Sequence, residues 1–451
     1  MNKAKWFLMI SAVLLSINGF VFAGGGNQSS GTGGSQIEIR VLNYFDMTAA
    51  NATLEVEQVW DTFAKDNPDI RVIREDLFND PYHNKMEAYA AAGQLPEVIY
   101  VWPSGRSTTL HTNRLLKDLS PLIKRDGLDK VYTTAALDPS AQVSNYLAMI
   151  PRAITSSHAF YINNEVLQAA GLTAAKTYDE LKAQVPVLRS KGYETVIMPN
   201  QDAWVMQSCL FSMVAGRFCG EGWDQRILAG QAKFTDPDFV AALSFIKALY
   251  DDGVINRNSL TTGYGDGIGP FATNKSAYYI DGDWRVGAFI TDQSTGQAVI
   301  PPNRQTNFTI TVFPDIPGTK FNQSSSSILG TGWAISAAVP SGSAKEEAAW
   351  KLVKWLSGKE VVTQLLETGG ITTPARNDID LTKLTLEPLS IEASKLSTKY
   401  TRGTAVIDGS FVAEVHEPIN EGLQAIGLGS QTPQQVAQAA QRAFDSWKAK
   451  Q

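Results

Sequence analysis

Titratable and nucleophilic side chains are scattered along the chain without the spacing of a catalytic or metal centre. The histidines stand far apart in the sequence, at His83, His111, His158 and His416. No His-Glu-x-x-His segment and no paired Cys-x-x-Cys segments supply ligands for a transition metal. No glycine-rich phosphate loop follows a predicted strand, and no Gly-x-Ser-x-Gly motif supplies a nucleophile. We therefore expect neither a metal nor a cofactor.

The first residues have the pattern of a cleavable export signal. Lys3 and Lys5 precede an apolar run over residues 6–17. Residues 21–23 resemble a small-residue cleavage site, with cleavage after Ala23. The run is shorter than the roughly 18 to 20 residues that a membrane-spanning helix needs. We therefore assign residues 1–23 to a signal peptide rather than to a retained anchor, and the Gly/Ser/Asn/Gln-rich residues 24–35 to a flexible linker.

The two cysteines, Cys209 and Cys219, are ten positions apart. In a chain exported to an oxidising compartment, a local disulfide between them is the natural hypothesis. The alternative is two buried free thiols, since unpaired cysteine is often simply a core residue.

Composition narrows the class of partner. The chain has 451 residues, with 39 basic and 45 acidic side chains and a net charge of −6. This acidic balance argues against nucleic acid or an anionic membrane as the main partner. At about 150 residues per domain, the length beyond the signal predicts more than one folding unit.

Strand and helix patterns alternate along the chain. Apolar and charged residues alternate over 37–41, which predicts a half-buried strand, and an amphipathic helix is predicted from Val56 to Phe63. The apolar run 98–102 is typical of a strand buried on both faces. Three further helix starts carry capping signals, at Thr177 with Glu180, Ser343 with Glu346, and Asp236 with Pro237. The alternation predicts an α/β protein with largely parallel sheets.

A succession of segments resembles the extracytoplasmic solute-binding proteins of ABC importers, in particular the sugar-binding family that includes the maltodextrin-binding protein. Characteristic segments are FAKDNPDI at 63–70, AGQLPEVIYVW at 92–102 and FATNKSAYYIDGDW at 271–284. Other matching segments lie at 116–122, 150–152, 160–165, 170–172, 176–181, 330–336, 343–356 and 370–376. One departure is Glu97, where the family usually has aspartate after proline.

The resemblance implies two α/β lobes, the periplasmic binding protein fold, with ligand in a cleft between lobes that close by a hinge motion. We predict lobe 1 at 36–152 plus 312–356 and lobe 2 at 153–311 plus 357–451. Lipid-anchored relatives carry a cysteine at the cleavage point, where this chain has Gly24. We therefore expect a periplasmic protein that is not a lipoprotein.

Aromatic residues beside polar groups fall where the family has its binding loops. A pyranose has apolar faces that suit flat aromatic rings, and a rim of hydroxyls that suits carboxylate, amide or guanidinium groups. Trp284 matches the family's Gly-x-Trp and has Asp283 beside it. The other predicted pairs are Trp102 with Arg106, Trp204 with Asp202, and Tyr44 with Asp46. Trp333, Arg376 and Phe411 are further candidates, with core packing as the alternative for Trp333.

The resulting hypothesis is a monomeric, non-enzymatic protein that binds a mono- or oligosaccharide and delivers it to the membrane permease of an ABC importer. One alternative is an exported enzyme acting on glycans, with a carboxylate pair drawn from residues such as Asp46, Asp202 and Asp283. A pair of this kind is defined by its separation in space, which sequence does not give. Another alternative keeps the binding but passes the signal to a sensor kinase or chemoreceptor.

Overall fold

The computed structural model describes residues 36–400 and 402–451. The predicted signal peptide, its cleavage point and the linker at 24–35 lie outside the described residues. Within them, no helix combines the length and apolar character needed to cross a membrane.

A five-stranded sheet forms the centre of one half of the molecule. Its strands lie in the order Ile70–Leu77, Ile37–Tyr44, Val98–Val101, Gly332–Ile335 and Met149–Pro151. The first three strands run parallel to one another, and Gly332–Ile335 runs antiparallel to both of its neighbours. The carboxyl ends of Ile37–Tyr44 and Val98–Val101 therefore meet at one edge of this sheet.

A four-stranded sheet forms the centre of the other half. Its strands lie in the order Phe308–Thr311, Ala159–Asn163, Ser276–Asp281 and Glu194–Ile197. Only Glu194–Ile197 and Ser276–Asp281 pair in parallel. Both sheets are therefore mixed, which corrects the predicted largely parallel sheets. The α/β class itself is confirmed.

Three short two- or three-stranded pairings complete the sheet structure. Ile328–Leu329, Ala153–Thr155 and Thr373–Pro374 form a three-stranded sheet. Thr291–Asp292 pairs with Gln297–Ala298, and Ser324–Ser325 pairs with Arg402–Gly403.

Helices cover both sheets. In the first part of the chain they are Ala52–Glu55, Val56–Asp61, Thr62–Asp66, Asp80–Ala92, Thr108–Thr112, Ser120–Arg125, Asn164–Ala170 and Tyr178–Ser190. The middle part contains Trp204–Met206, Gln207–Phe211, Ser212–Cys219, Trp223–Leu228, Pro237–Asp251, Ile268–Ala272 and Pro302–Gln305. The last part contains Ala344–Leu356, Lys359–Glu367, Pro388–Ser394, Leu396–Lys399, Ile407–Ser410, Ala413–Leu428 and Pro433–Lys448. Short 3₁₀ turns lie at Gly105–Ser107, Leu128–Lys130, Pro139–Ala141, Arg257–Thr261, Asp283–Ala288 and Leu381–Lys383.

Two hydrophobic cores divide the described residues into two lobes. The first core, lobe 1, takes its buried side chains from 39–153 and 329–375, and the second, lobe 2, from 159–316 and 389–444. The chain crosses from one core to the other three times. Each strand of the three-stranded sheet lies at one of these crossings. The helix Lys359–Glu367 buries Val361, Val362 and Leu365 in the first core, although the sequence predicts this helix in lobe 2. This helix directly follows Ala344–Leu356 in the chain, and the apolar sides of the two helices pack on the same core.

All three predicted helices begin at the predicted N-cap residue, and two of them also form a side-chain cap. The Ser343 hydroxyl accepts a hydrogen bond from the Glu346 backbone N–H at 3.1 Å, and Thr177 caps Glu180 in the same way at 3.2 Å. The Asp236 carboxylate instead accepts from the Lys233 N–H, before the helix begins. Local side-chain to backbone bonds therefore define two of these three helix starts.

The two cysteines are free, which corrects the predicted disulfide. Both lie on one continuous helical run formed by Trp204–Met206, Gln207–Phe211 and Ser212–Cys219. Ten residues of helix separate them by roughly 15 Å along the axis, far beyond the reach of a disulfide. The buried Cys209 thiol instead donates to an Asp281 carboxylate oxygen at 3.7 Å.

Candidate functional site

The first group of predicted residues meets at the edge of the lobe 1 sheet. Tyr44 ends one strand and Trp102 follows its parallel neighbour, and their rings lie 5.0 Å apart at an angle of 86°. The ring of His83 lies 4.9 Å from Trp102. The Tyr44 hydroxyl donates to Asn79 Oδ1 at 2.9 Å, and burial raises the pKa of Tyr44. We call Tyr44, His83 and Trp102 the lobe 1 wall.

The second group comes from three separate segments of lobe 2. Trp204 opens a helix, Trp284 lies in the 3₁₀ turn Asp283–Ala288, and Tyr264 lies in a glycine-rich loop. The ring of Trp204 is 5.0 Å from that of Tyr264 and 6.5 Å from that of Trp284. Trp284 Nε1 donates to the Tyr264 hydroxyl at 2.7 Å. We call Trp204, Tyr264 and Trp284 the lobe 2 wall. Both of its tryptophans are partly exposed.

A buried ion pair lies beneath the lobe 2 wall. Arg285 Nε donates to Asp281 Oδ2 at 2.7 Å, and the Arg285 guanidinium carbon lies 3.6 Å from the centre of the Tyr264 ring. The Tyr264 hydroxyl donates to Asp281 Oδ1 at 3.2 Å. Trp284 packs over Gly282, where an added Cβ would overlap the indole ring. Glycine at 282 therefore allows the ring to lie against the backbone.

Arg106 connects the two walls. It extends from lobe 1, donates from Nε to Asp408 Oδ2 of lobe 2 at 3.2 Å, and lies 5.5 Å from the Trp204 ring centre. Its Nη1 donates to His83 Nε2 at 3.0 Å, so the His83 proton is on Nδ1. Burial lowers the pKa of His83 to about 3, which keeps the ring neutral. The backbone of Gly105 lies so close to the Asp408 carbonyl that an added Cβ would overlap it.

Asp283 lies at the root of the lobe 2 wall rather than on its surface. It is 4% exposed, and Oδ2 accepts a hydrogen bond from the Thr372 hydroxyl at 2.7 Å. Its backbone N–H donates to the Ser156 carbonyl at 2.8 Å. Burial raises the pKa of Asp283 to about 7. Through its carboxyl and its backbone N–H, Asp283 thus joins the 3₁₀ turn carrying Trp284 to two of the segments by which the chain passes between the lobes.

The other two predicted carboxylates hold local backbone. Asp202 Oδ2 accepts from the Tyr264 backbone N–H at 3.1 Å and so fixes the glycine-rich loop. Asp46 Oδ1 accepts from the backbone N–H and the hydroxyl of Thr48, at 2.8 and 2.6 Å. Both carboxylates therefore shape loops next to the walls.

Three predicted residues lie apart from the walls. Trp333 is 2% exposed and packs beneath the lobe 1 wall, against Tyr100 at 5.2 Å. Phe411 is equally buried in the second core, beside Phe234 at 5.2 Å. Arg376 is held by a two-pronged contact with Asp378, at 2.9 and 2.7 Å. Burial and these contacts account for the positions of all three residues.

Two arginines beside the walls, and Arg376 apart from them, are each paired with a carboxylate. The three guanidinium groups discussed above each contact a carboxylate, in the pairs Arg106–Asp408, Arg285–Asp281 and Arg376–Asp378. Within the described part of the chain, His, Cys, Asp and Glu side chains do not gather in groups of three or more that could hold a metal ion. The walls therefore offer aromatic faces and paired polar groups.

Sequence reasoning missed Tyr264, His83, Asp408 and Arg285. Tyr264 stands between Gly263 and Gly265, and an aromatic residue among glycines is a signal that could have found it. The other three have no such local mark, because their roles come from partners that are distant in sequence.

A cavity of about 760 Å³ lies elsewhere on lobe 1, lined by residues that include Arg40, Leu95, Val339 and Lys345. It contains none of the predicted residues. Its carboxylate, Glu97, already contacts both Arg40 and Lys345 at 3.3 Å. The aromatic walls are accordingly the better candidate site.

Comparison with protein families gives one match. The model of a family described as bacterial extracellular solute-binding protein matches residues 58–388. No curated protein matches the chain.

Solved structures share the fold at low sequence identity. A chitin oligosaccharide binding protein has a TM-score of 0.80 at 19% identity, covering 92% of this chain and 100% of its own. A structure described with xylan utilization by the thermophilic bacterium Caldanaerobius polysaccharolyticus has a TM-score of 0.79 at 20% identity, covering 90% and 99%. The maltose/maltodextrin-binding domain MalE from Bdellovibrio bacteriovorus, bound to maltotriose, has a TM-score of 0.68 at 19% identity, covering 92% and 100%. These likenesses confirm the predicted two-lobed binding-protein fold.

Proposed function

Because the chain belongs to the bacterial extracellular solute-binding proteins, we propose that it binds a carbohydrate between its lobes and delivers it to the permease of an ABC importer. The observation that carries this proposal is the meeting of two aromatic walls, one from each lobe, joined by Arg106. Aromatic rings offer flat apolar surfaces that match the faces of a pyranose. Solved structures with the same fold are described with chitin oligosaccharide and maltotriose, which supports the same class of ligand.

The walls divide the proposed contacts between them. Trp284 and Trp204 stack on sugar faces from lobe 2, and Trp102 and Tyr44 do so from lobe 1. Arg106 donates to rim hydroxyls from between the walls. Each tryptophan is partly exposed, so a ring face is available to a ligand.

The carboxylates contribute mainly by shaping these surfaces. Asp202 and Asp283 hold the loops that carry the lobe 2 wall, and Asp46 holds the turn after Tyr44. Asp283 is buried, so among these carboxylates the partly exposed Asp202 and Asp46 are the ones with acceptor capacity left for ligand hydroxyls.

Charge pairing favours an uncharged saccharide. The guanidinium group of Arg106 faces Asp408, and that of Arg376 faces Asp378. An anionic sugar would have to compete with a resident carboxylate for either group, and breaking a buried pair is costly. We therefore propose a neutral mono- or oligosaccharide rather than a uronate.

A ligand screen tests the proposal. Native mass spectrometry and thermal unfolding should be run against mono- and oligosaccharides of the gluco, xylo and chito series. A true ligand present at 100 times its Kd should stabilise the protein by about 2.7 kcal/mol. Trp447, in the C-terminal helix away from the walls, provides a matched control, because Trp447→Ala should retain the stabilisation that Trp284→Ala loses. Absence of any stabilising saccharide, or equal loss in both variants, would contradict the proposal.

Whether the ligand stays intact distinguishes a binding protein from an enzyme. The family is one of binding proteins, and we propose that this chain does not cleave its ligand. An oligosaccharide recovered intact after prolonged incubation is the expected result, whereas shortened products would support an exported enzyme.

We also propose a location and an oligomeric state. Export through a signal peptide at 1–23, without a lipid anchor, would leave a monomer in the periplasm, where it meets both ligand and permease. Fractionation should recover the protein in the periplasmic extract at the size of one chain. Recovery in the membrane pellet would contradict this location.

A further inference from the structure

We propose that Tyr264 is a positioning residue that fixes the two tryptophans of the lobe 2 wall in the orientation that receives the ligand. The proposal rests on the proposed function, but it concerns a residue that need not touch the ligand.

The Tyr264 hydroxyl lies in the middle of a short hydrogen-bond chain. An indole N–H can only donate, so Trp284 Nε1 donates to the hydroxyl oxygen at 2.7 Å. A carboxylate can only accept, so the hydroxyl proton points to Asp281 Oδ1 at 3.2 Å. The directions are thereby fixed from Trp284 to Tyr264 to Asp281.

Asp281 is a rigid end for this chain. It is fully buried, and it also accepts from the Gly282 N–H at 2.7 Å and from Arg285 Nε at 2.7 Å. A carboxylate at a buried strand end that is held by these donors, and by the Tyr279 hydroxyl and the Cys209 thiol as well, has little freedom to turn. Tyr264 therefore fixes the position of Trp284 relative to the lobe 2 sheet.

The Tyr264 ring orients the other tryptophan. Arg285 lies against the ring at 3.6 Å, and Trp204 packs 5.0 Å from it at an angle of 57°. The Tyr264 backbone is held at the same time, since its N–H donates to Asp202 and its carbonyl accepts from Arg285 Nη2 at 3.3 Å. Tyr264 thus contacts both tryptophans while it is itself fixed by three partners.

Fixed platforms bind more tightly than mobile ones. A side chain that is already ordered in the free protein loses less conformational freedom when ligand binds. Tyr264 should therefore raise affinity by ordering the two tryptophans before the ligand binds. This ordering should be measurable in the ligand-free protein.

The ligand-free test compares Tyr264→Phe with Tyr178→Phe. The control removes a comparable hydroxyl bond, from Tyr178 to Asp252 at 2.6 Å, elsewhere in lobe 2. Indole ¹⁵N–¹H spectra, with Trp284 assigned through Trp284→Phe, report the Trp284 N–H. We expect Tyr264→Phe to move this resonance and to speed its exchange with solvent by about tenfold, consistent with loss of one hydrogen bond. An unchanged Trp284 resonance in Tyr264→Phe would overturn the proposal.

The ligand test first screens the unmodified protein against maltotriose, xylotriose and chitotriose. The variants are then compared with the sugar that it binds. Calorimetry should show that Tyr264→Phe raises the Kd about five- to tenfold, whereas Tyr178→Phe leaves the Kd unchanged. We expect this difference in Kd even though the two substitutions shift the Tm equally. Equal Kd values in the two variants would overturn the positioning role. If the unmodified protein binds none of the three, the proposed function fails for these sugars, while the Trp284 spectrum still decides whether Tyr264 positions the indole.

Discussion

The two aromatic walls are built in different ways. In the lobe 1 wall, Tyr44 and Trp102 follow from neighbouring parallel strands, so the sheet itself brings their rings together. In the lobe 2 wall, Trp204, Tyr264 and Trp284 come from three loops or helix starts, and side-chain hydrogen bonds hold them. The difference teaches that one wall is fixed by backbone pairing and the other by a polar network, so they should respond differently to the same substitution.

The largest expected effect is a dependence of stability on pH that originates in lobe 2. The pKa of Asp283 is about 7 in the fold and 3.8 ordinarily, so between these values the folded protein keeps a proton that the unfolded chain has released. Stability therefore falls as the pH rises through that window, by about 4 kcal/mol in total for this group. Chemical unfolding at several pH values should show a smaller decline in Asp283→Asn.

Asp138 in lobe 1 is the control for this titration. Hydrogen bonds from the hydroxyl and N–H of Ser140 lower the pKa of its carboxyl, so its contribution has the opposite sign. It is present above the ordinary pKa and lost as the pH falls through the lowered value. If Asp283→Asn and Asp138→Asn give the same pH profile, the burial argument for Asp283 is wrong.

Removal of the lobe 2 platform comes next. Trp284→Ala should weaken saccharide binding by about 2 to 4 kcal/mol, as truncation of a central aromatic anchor does. Calorimetry is the measurement, with Trp447→Ala as the control. Unchanged affinity would remove Trp284 from the site.

Contact between the lobes can be blocked at one atom. In Gly105→Ala the new Cβ would overlap the Asp408 carbonyl, so the lobes should stay further apart. Affinity scales with the fraction of closed protein, and we expect a roughly hundredfold loss.

Gly93 supplies the matched control, because it also has a positive φ, of 64°, but has nothing within 4 Å of an added Cβ. Small-angle scattering should give a larger radius of gyration for Gly105→Ala and an unchanged one for Gly93→Ala. Equal radii with equal affinities would contradict a role of this contact in closure.

A milder pair of substitutions compares the walls directly. Trp284→Phe loses the bond to Tyr264, whereas the hydrogen bonds described for Trp102 are made by its backbone, to Ser107 and His111. The lobe 2 variant should therefore lose about 1 kcal/mol more binding free energy than Trp102→Phe. Calorimetry that gives equal losses would mean that the polar network adds nothing to the wall.

The sequence predicted two residues of each wall, and the lobe 1 pair has the simpler physical basis. Strand periodicity locates Tyr44 and Trp102 at strand ends, and parallel pairing then brings them together. Tyr264 escaped prediction because its bonds to Trp284 and Asp281 join residues whose spacing follows no period. Trp333 and Phe411 carry the same local signals as the wall residues, and only their tertiary neighbours show that they are buried.

The disulfide shows a further limit of spacing. Ten residues is a suitable loop for a disulfide in an irregular segment, but the apolar segment from Trp204 to Cys219 forms a helix, which holds its cysteines far apart. Likewise, the helix Lys359–Glu367 joins the first core through its neighbour Ala344–Leu356, and this packing has no counterpart in local sequence.

The most direct test of the central claim is a crystal structure of the protein with a saccharide found in the ligand screen. We expect sugar rings against Trp284 and Trp204 from lobe 2 and against Trp102 from lobe 1, with Arg106 donating to ring hydroxyls. A saccharide seated elsewhere, for example in the cavity beside Glu97 and Lys345, with both aromatic walls uncovered, would contradict the account.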